Sequence, residues 1–291
     1  MCDNHTEEEF AHMRKMSKIT RRRFAKLGVT AAIAALLPPL ANAQDVMERE
    51  VTIQTPDGMA DCYFVYPSSG KHPAVLMWPD ILGLRPASRA MGKRLAQSGY
   101  SVLVVNPFYR IQRAPVIPDG ASFADPEIAG IVRPMMASLS EASDVTDAGA
   151  FLAWIDQQAE VDTSRKIGTV GHCMGGPQVL RTVSNFPARV GAGATFHGVN
   201  LATANPDSPH LDIPKMDAQL LIAIAENDDA RDLQVKTTLR NACAAAGVPA
   251  EIQVYAGSSH GWTMPDFPVY DRALAERAWA RLLNLYAKAL V

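Results

Sequence analysis

Gly171-His172-Cys173-Met174-Gly175-Gly176 stands between a short β-branched run, 166–170, and a segment with helical spacing. A glycine-flanked nucleophile between a strand and a helix is the arrangement that lifts one side chain above the edge of an α/β sheet. The flanking glycines are a steric requirement, because a turn this tight leaves no room for Cβ atoms on either side. The central residue is then forced into a strained backbone conformation. Here that residue is a thiol, and the positive end of the helix dipole favours its thiolate form.

Two later runs extend the pattern. The apolar segment 219–225 (QLLIAIA) ends in Glu226-Asn227-Asp228-Asp229, and 250–255 (AEIQVY) ends in Ala256-Gly257-Ser258-Ser259-His260-Gly261. An acid past one strand and a histidine past the next give the order nucleophile, acid, base, which is the α/β-hydrolase order. The triad expected is Cys173, Asp228 and His260: attack on a carbonyl, proton shuttling, and orientation of the imidazole. The oxyanion donors expected are the backbone N–H of Met174, just after the nucleophile, and that of Ile81 in the loop after strand three. His172 is read as structural.

A coarse pass gives a hairpin, 48–55 and 59–66, around Pro56-Asp57-Gly58. Strands follow at 74–78, 101–105, 166–170, 191–197, 219–225 and 250–255, with helices at 85–98, 144–158, 231–246 and 270–290. Residues 110–138 are rich in Pro, Ala and Gly without a clean period and read as an active-site loop or cap. The fold class is α/β: a mostly parallel twisted sheet with helices on both faces and an N-terminal β-hairpin, one domain over 44–291. With 291 residues, 48% of them hydrophobic, the chain can bury such a core. A net charge of −2 and pI near 6.4 argue against nucleic acid as a partner.

From residue 51 onward the chain resembles the dienelactone hydrolase family. The resemblance is carried by Cys173 in G-H-C-M-G-G, Asp228 in A-E-N-D, His260 in G-S-S-H-G, Pro79-Asp80-Ile81-Leu82-Gly83, and Asn106-Pro107-Phe108-Tyr109-Arg110. It implies an α/β-hydrolase that opens lactones or other activated esters through a cysteine nucleophile and an acyl-enzyme, with no cofactor or metal. It also implies that Asp80 faces the thiol, one methylene shorter than the family's acidic residue, and that Arg110 binds a substrate carboxylate. Met264 stands where the family has a second arginine, so a neutral or singly charged lactone or ester is expected. Tyr109, His197 and Trp262 are further candidates for the substrate pocket. An acyltransferase or peptidase on the same triad, and a non-catalytic periplasmic binding protein with a reactive thiol, remain open.

The N-terminus reads as a targeting segment. Thr20-Arg21-Arg22-Arg23-Phe24 precedes an apolar stretch, 27–37, and then Ala41-Asn42-Ala43. That is a twin-arginine type signal peptide, 1–43, with Met16 as the expected start and cleavage after Ala43. Its eleven apolar residues fall short of the ~20 that a spanning helix needs. The expectation is therefore export to the periplasm by the twin-arginine machinery, as a monomer. Cys62 and Cys243 are expected to pack as small apolar residues, not to form a disulfide.

Overall fold

The computed structural model describes residue 33 and residues 35–291. The paired arginines, Met16 and most of the apolar stretch lie outside the described residues.

Strands β1 (Val46–Thr55) and β2 (Gly58–Pro67) form the expected hairpin, closed by the two-residue turn Pro56-Asp57. Then come β3 (Ala74–Trp78), α1 (Pro86–Gln97), β4 (Ser101–Val105), α2 (Pro126–Ala137), α3 (Glu141–Ile155) and β5 (Ile167–His172). The chain continues through α4 (Gly175–Asn185), β6 (Val190–Phe196), a 3₁₀ helix (Pro209–Lys215), β7 (Gln219–Ala225), α5 (Glu226–Arg231), α6 (Gln234–Ala246), β8 (Ala250–Tyr255) and α7 (Arg272–Ala289). The strands make one sheet in the order β1-β2-β4-β3-β5-β6-β7-β8. β2 pairs antiparallel with both β1 and β4, and every pair from β4 to β8 is parallel.

Central strands buried on both faces explain the unbroken apolar runs in the sequence. Because successive side chains alternate, Leu76, Trp78, Leu103 and Val105 pack with α3, α4 and α6. Val75, Met77, Val102 and Val104 pack on the opposite face with α1 and α7. Ile33 and Leu37, from the segment before β1, also lie against this second layer. Cys62 and Cys243 are free thiols within the first layer.

The stretch 110–138 contains a helix, α2, that its composition hid. Asp125 caps it by accepting from the Glu127 N–H at 3.0 Å, and Pro126 occupies its first turn, where a missing N–H costs nothing. Its buried face, Ile128, Ala129, Val132 and Met135, joins Ile81, Leu82 and Phe108 in a third apolar cluster that includes Cys173 and Met174. This cap thus closes over the C-terminal ends of the parallel strands, where open α/β sheets place their sites. The helix expected at 231–246 is α6, which starts three residues later at Gln234, and a short helix the sequence did not suggest, α5, precedes it across Asp232-Leu233.

Candidate active site

Between the end of β5 and the start of α4, Cys173 adopts φ +51°, in the left-handed region that residues with a Cβ rarely enter. Three backbone bonds hold it there. Its N–H donates to the Phe196 carbonyl at 3.0 Å, and its own carbonyl accepts from Gly176 and Val199 at 3.1 and 3.2 Å. A Cβ on Gly171 would lie 2.2 Å from the Gly175 carbonyl oxygen, and one on Gly175 would lie 2.5 Å from that of Trp78. Strand, helix and β3 can therefore close around the thiol only with glycine at both places.

Asp228 sits in the short helix α5 just past β7, and His260 in the turn after β8. His260 Nδ1 lies 2.7 Å from Asp228 Oδ2. The loops that carry them are tied directly: the His260 N–H donates to Asn227 Oδ1 at 2.8 Å, and the Gly257 N–H to Glu226 Oε2 at 3.1 Å. Burial alone would push the His260 imidazole down. The charges of Cys173 and Asp228, and hydrogen bonds to both, nevertheless raise it well above its ordinary value. The imidazolium is thus the favoured partner of the thiol.

Ile81 and Met174 flank this group in the same apolar cluster as Cys173. Among the described residues, no hydrogen bond uses either backbone N–H, which leaves both available as donors. The Ile81 loop is held by a buried clamp. Arg85 Nη1 and Nη2 donate to Asp80 Oδ1 and Oδ2 at 2.7 and 2.9 Å, while Nε and Nη2 donate to Asp266 at 2.7 and 2.9 Å. The Leu82 N–H adds a bond to Asp80 Oδ1 at 2.8 Å.

That clamp changes the reading of Asp80. Both of its oxygens are directed to Arg85, so the carboxylate ties its own loop to α1 and does not stand free to face the thiol. Arg110 is likewise committed: it donates to Asp147 at 2.8 and 2.7 Å and to Asp57 at 3.1 and 2.6 Å, joining the β1–β2 turn to α3. It does not line the cavity above Cys173. Tyr109 belongs to the same network through its hydroxyl, 2.7 Å from both Thr55 Oγ1 and Asp147 Oδ1. Trp262 is fully buried, stacked on Tyr255 with ring centroids 4.6 Å apart, outside the cavity lining. His197 lies beneath the site, its ring 4.9 Å from that of His260. Its Nε2 shares the Thr263 hydroxyl with His172 Nδ1, at 2.9 and 3.0 Å. Burial pushes His172 down to about 3 and His197 well below the usual range, so both stay neutral.

The cavity over Cys173 measures about 440 Å³, within the range of small-molecule sites. Besides Ile81, Asp228 and His260, its wall includes Phe123, Leu201, Ile224, Val235 and Phe267, with Asn200, Thr203, Asp229, Arg231 and Asp232 as polar lining. Apart from Asp229, the neighbour of the expected triad acid, none of these was singled out from the sequence. Arg231 carries the one legible signal, lying three residues after Asp228 on a helix, and its Nη1 reaches Asp228 Oδ1 at 3.3 Å. Among the described residues, no group of three His, Cys, Asp or Glu is placed to hold a metal.

Comparison with known proteins supplies the context. The family model described as "Dienelactone hydrolase family" matches residues 60–290. A Methylorubrum extorquens protein provisionally named carboxymethylenebutenolidase is 24% identical over 279 residues, spanning 92% of each chain. The carboxymethylenebutenolidase of Rhodococcus opacus is 24% identical over 230 residues, 76% of this chain and 83% of its own. A crystal structure from Klebsiella pneumoniae, provisionally described as a dienelactone hydrolase, superposes with a TM-score of 0.72 at 20% identity, covering 84% of this chain and 100% of the other.

Proposed function

The chain belongs to the dienelactone hydrolase family and is an ester- or lactone-cleaving hydrolase; we propose that it acts through Cys173 as nucleophile and a covalent acyl-enzyme. The Cys173 thiolate attacks the carbonyl carbon, and the oxyanion that forms is bound by the N–H groups of Ile81 and Met174. His260, carrying the proton, gives it to the leaving alkoxide as the C–O bond breaks, which leaves a thioester on Cys173. In a lactone the alcohol remains attached to the acyl group. Water then attacks the thioester with His260 as base, and the released thiolate is re-paired with the imidazolium while the acid departs. Asp228 fixes the imidazole through Nδ1, directing Nε2 to the thiol and substrate.

The observation that carries this reading is the coupling of three groups from three strand ends. A 2.7 Å carboxylate bond stands on one side of His260, and Cys173 and Asp228 together raise the imidazole despite its burial. The test is turnover of a chromogenic acetate ester. Cys173→Ala should abolish it while Cys62→Ala and Cys243→Ala do not; substantial turnover by Cys173→Ala would remove the nucleophile from this account. The paired arginines and the A-N-A site support a second part of the proposal, export by the twin-arginine route with cleavage after Ala43.

A further inference from the structure

Resting on the reading of Cys173 as an ester-cleaving nucleophile, we propose that this site takes an uncharged ester or lactone with an apolar arm and discriminates against carboxylated substrates. The wall of the cavity carries this. Leu201, Ile224 and Val235 come from the β6–β7 side of the sheet and α6, and Phe123 and Phe267 close over from the cap and the turn after β8. An arm laid along them gains roughly fourfold in binding for each methylene removed from water.

The ionisable lining points the same way. Asp228, Asp229 and Asp232 face the cavity with two cationic groups, His260 and Arg231. Both cations are engaged with Asp228, His260 at 2.7 Å and Arg231 at 3.3 Å. Asp229 is balanced from outside the lining by Lys236, 2.6 Å away, which leaves Asp232 and the nucleophile to repel an anion. Arg110 is held by Asp57 and Asp147, and Met264 is buried in the core layer beneath α7. A substrate carboxylate would have to shed its hydration here without a guanidinium given over to it, and an uncompensated charge in such a place is disfavoured.

A matched pair of p-nitrophenyl esters reads this directly: the hexanoate, and the half-ester of adipic acid, which carries a carboxylate at the end of the same chain. For the parent protein, kcat/KM should rise from acetate to hexanoate and fall by roughly thirtyfold or more from hexanoate to the adipate half-ester. Val235→Arg, which adds a cation to the wall, should narrow that last ratio by roughly tenfold. Arg231→Ala should change both esters alike, through Asp228. Equal or better turnover of the adipate half-ester by the parent would overturn the proposal. So would a selective loss of that substrate in Arg231→Ala, since it would make Arg231 a carboxylate clamp. These outcomes differ from failure of the underlying reading, which would show as no Cys173-dependent turnover of any of the three esters.

Discussion

Replacing Arg85 with Met should damage stability and catalysis together, and in a way that depends on pH. Arg85 is almost fully buried and makes two charged bonds to Asp80, itself inaccessible to solvent, and two to Asp266. Removing one partner of a buried pair costs ~3–5 kcal/mol, because the other charge is left without compensation. For a domain of this size that corresponds to a fall of roughly 6–20 °C in Tm. Burial already raises the Asp80 carboxyl above its ordinary value, against the lowering influence of Arg85. Without Arg85 only the weaker Leu82 N–H bond opposes burial, so the folded-state value climbs further. A carboxyl raised on folding binds its proton more tightly in the native state. The deficit relative to the parent therefore grows as pH rises from the parent's folded-state value to the variant's higher one, by about 1.4 kcal/mol per unit. Thermal unfolding at pH 5.5 and pH 8 should show the larger loss at pH 8. Asp80→Asn in the Arg85→Met background should recover much of it, since it removes the stranded charge. The Ile81 N–H sits on the same loop, so kcat should fall by about 10²-fold, the scale of a lost oxyanion donor. A Tm within 2 °C of the parent at both pH values, or no recovery in the double variant, would refute the claim that this ion pair holds the loop.

Three further outcomes are expected. Asp228→Asn removes a charge and a hydrogen bond that raise His260; the alkaline limb of the pH profile, where the proton donor is lost, should move to lower pH, with kcat down by roughly 10³–10⁴-fold. Arg110→Ala should destabilise the fold by about 2–4 kcal/mol by stranding Asp147, as read by denaturant unfolding, and should affect neutral and acidic esters equally. Arg21→Lys with Arg22→Lys should block export in the native host, where intact mass of the periplasmic fraction should otherwise give an N-terminus at Gln44.

The sheet was legible because its central strands are buried on both faces, so that 74–78, 101–105 and 219–225 are almost wholly apolar or β-branched runs, while the edge strand 250–255 alternates Glu251 and Gln253 with apolar residues; all four have the bounds seen in the structure. Helix α2 was not, because Pro126, Gly130 and Pro134 mask a stripe of Ile128, Val132 and Met135 that becomes meaningful only against the cap cluster. Cys173, Asp228 and His260 could be picked out because each follows a strand end, and a parallel sheet brings such ends to one edge. The substrate-binding residues had no such rule. What Arg110 does is decided by Asp57 and Asp147, 53 and 37 residues away in the chain. Asp80 is decided by Arg85, which a sequence reading takes for the first residue of a helix. A charged side chain advertises a capacity to bind, and only its neighbours in space determine whether that capacity is already used.

The acyl-enzyme is the centre of the account, and mass spectrometry of protein acid-quenched during turnover of p-nitrophenyl hexanoate tests it most directly. The expected result is a mass increase of one hexanoyl group, mapped to the peptide that contains Cys173, released by hydroxylamine as a thioester is, and missing in Cys173→Ala. Continued turnover with no adduct on Cys173, or with the acyl group carried on another residue, would contradict it.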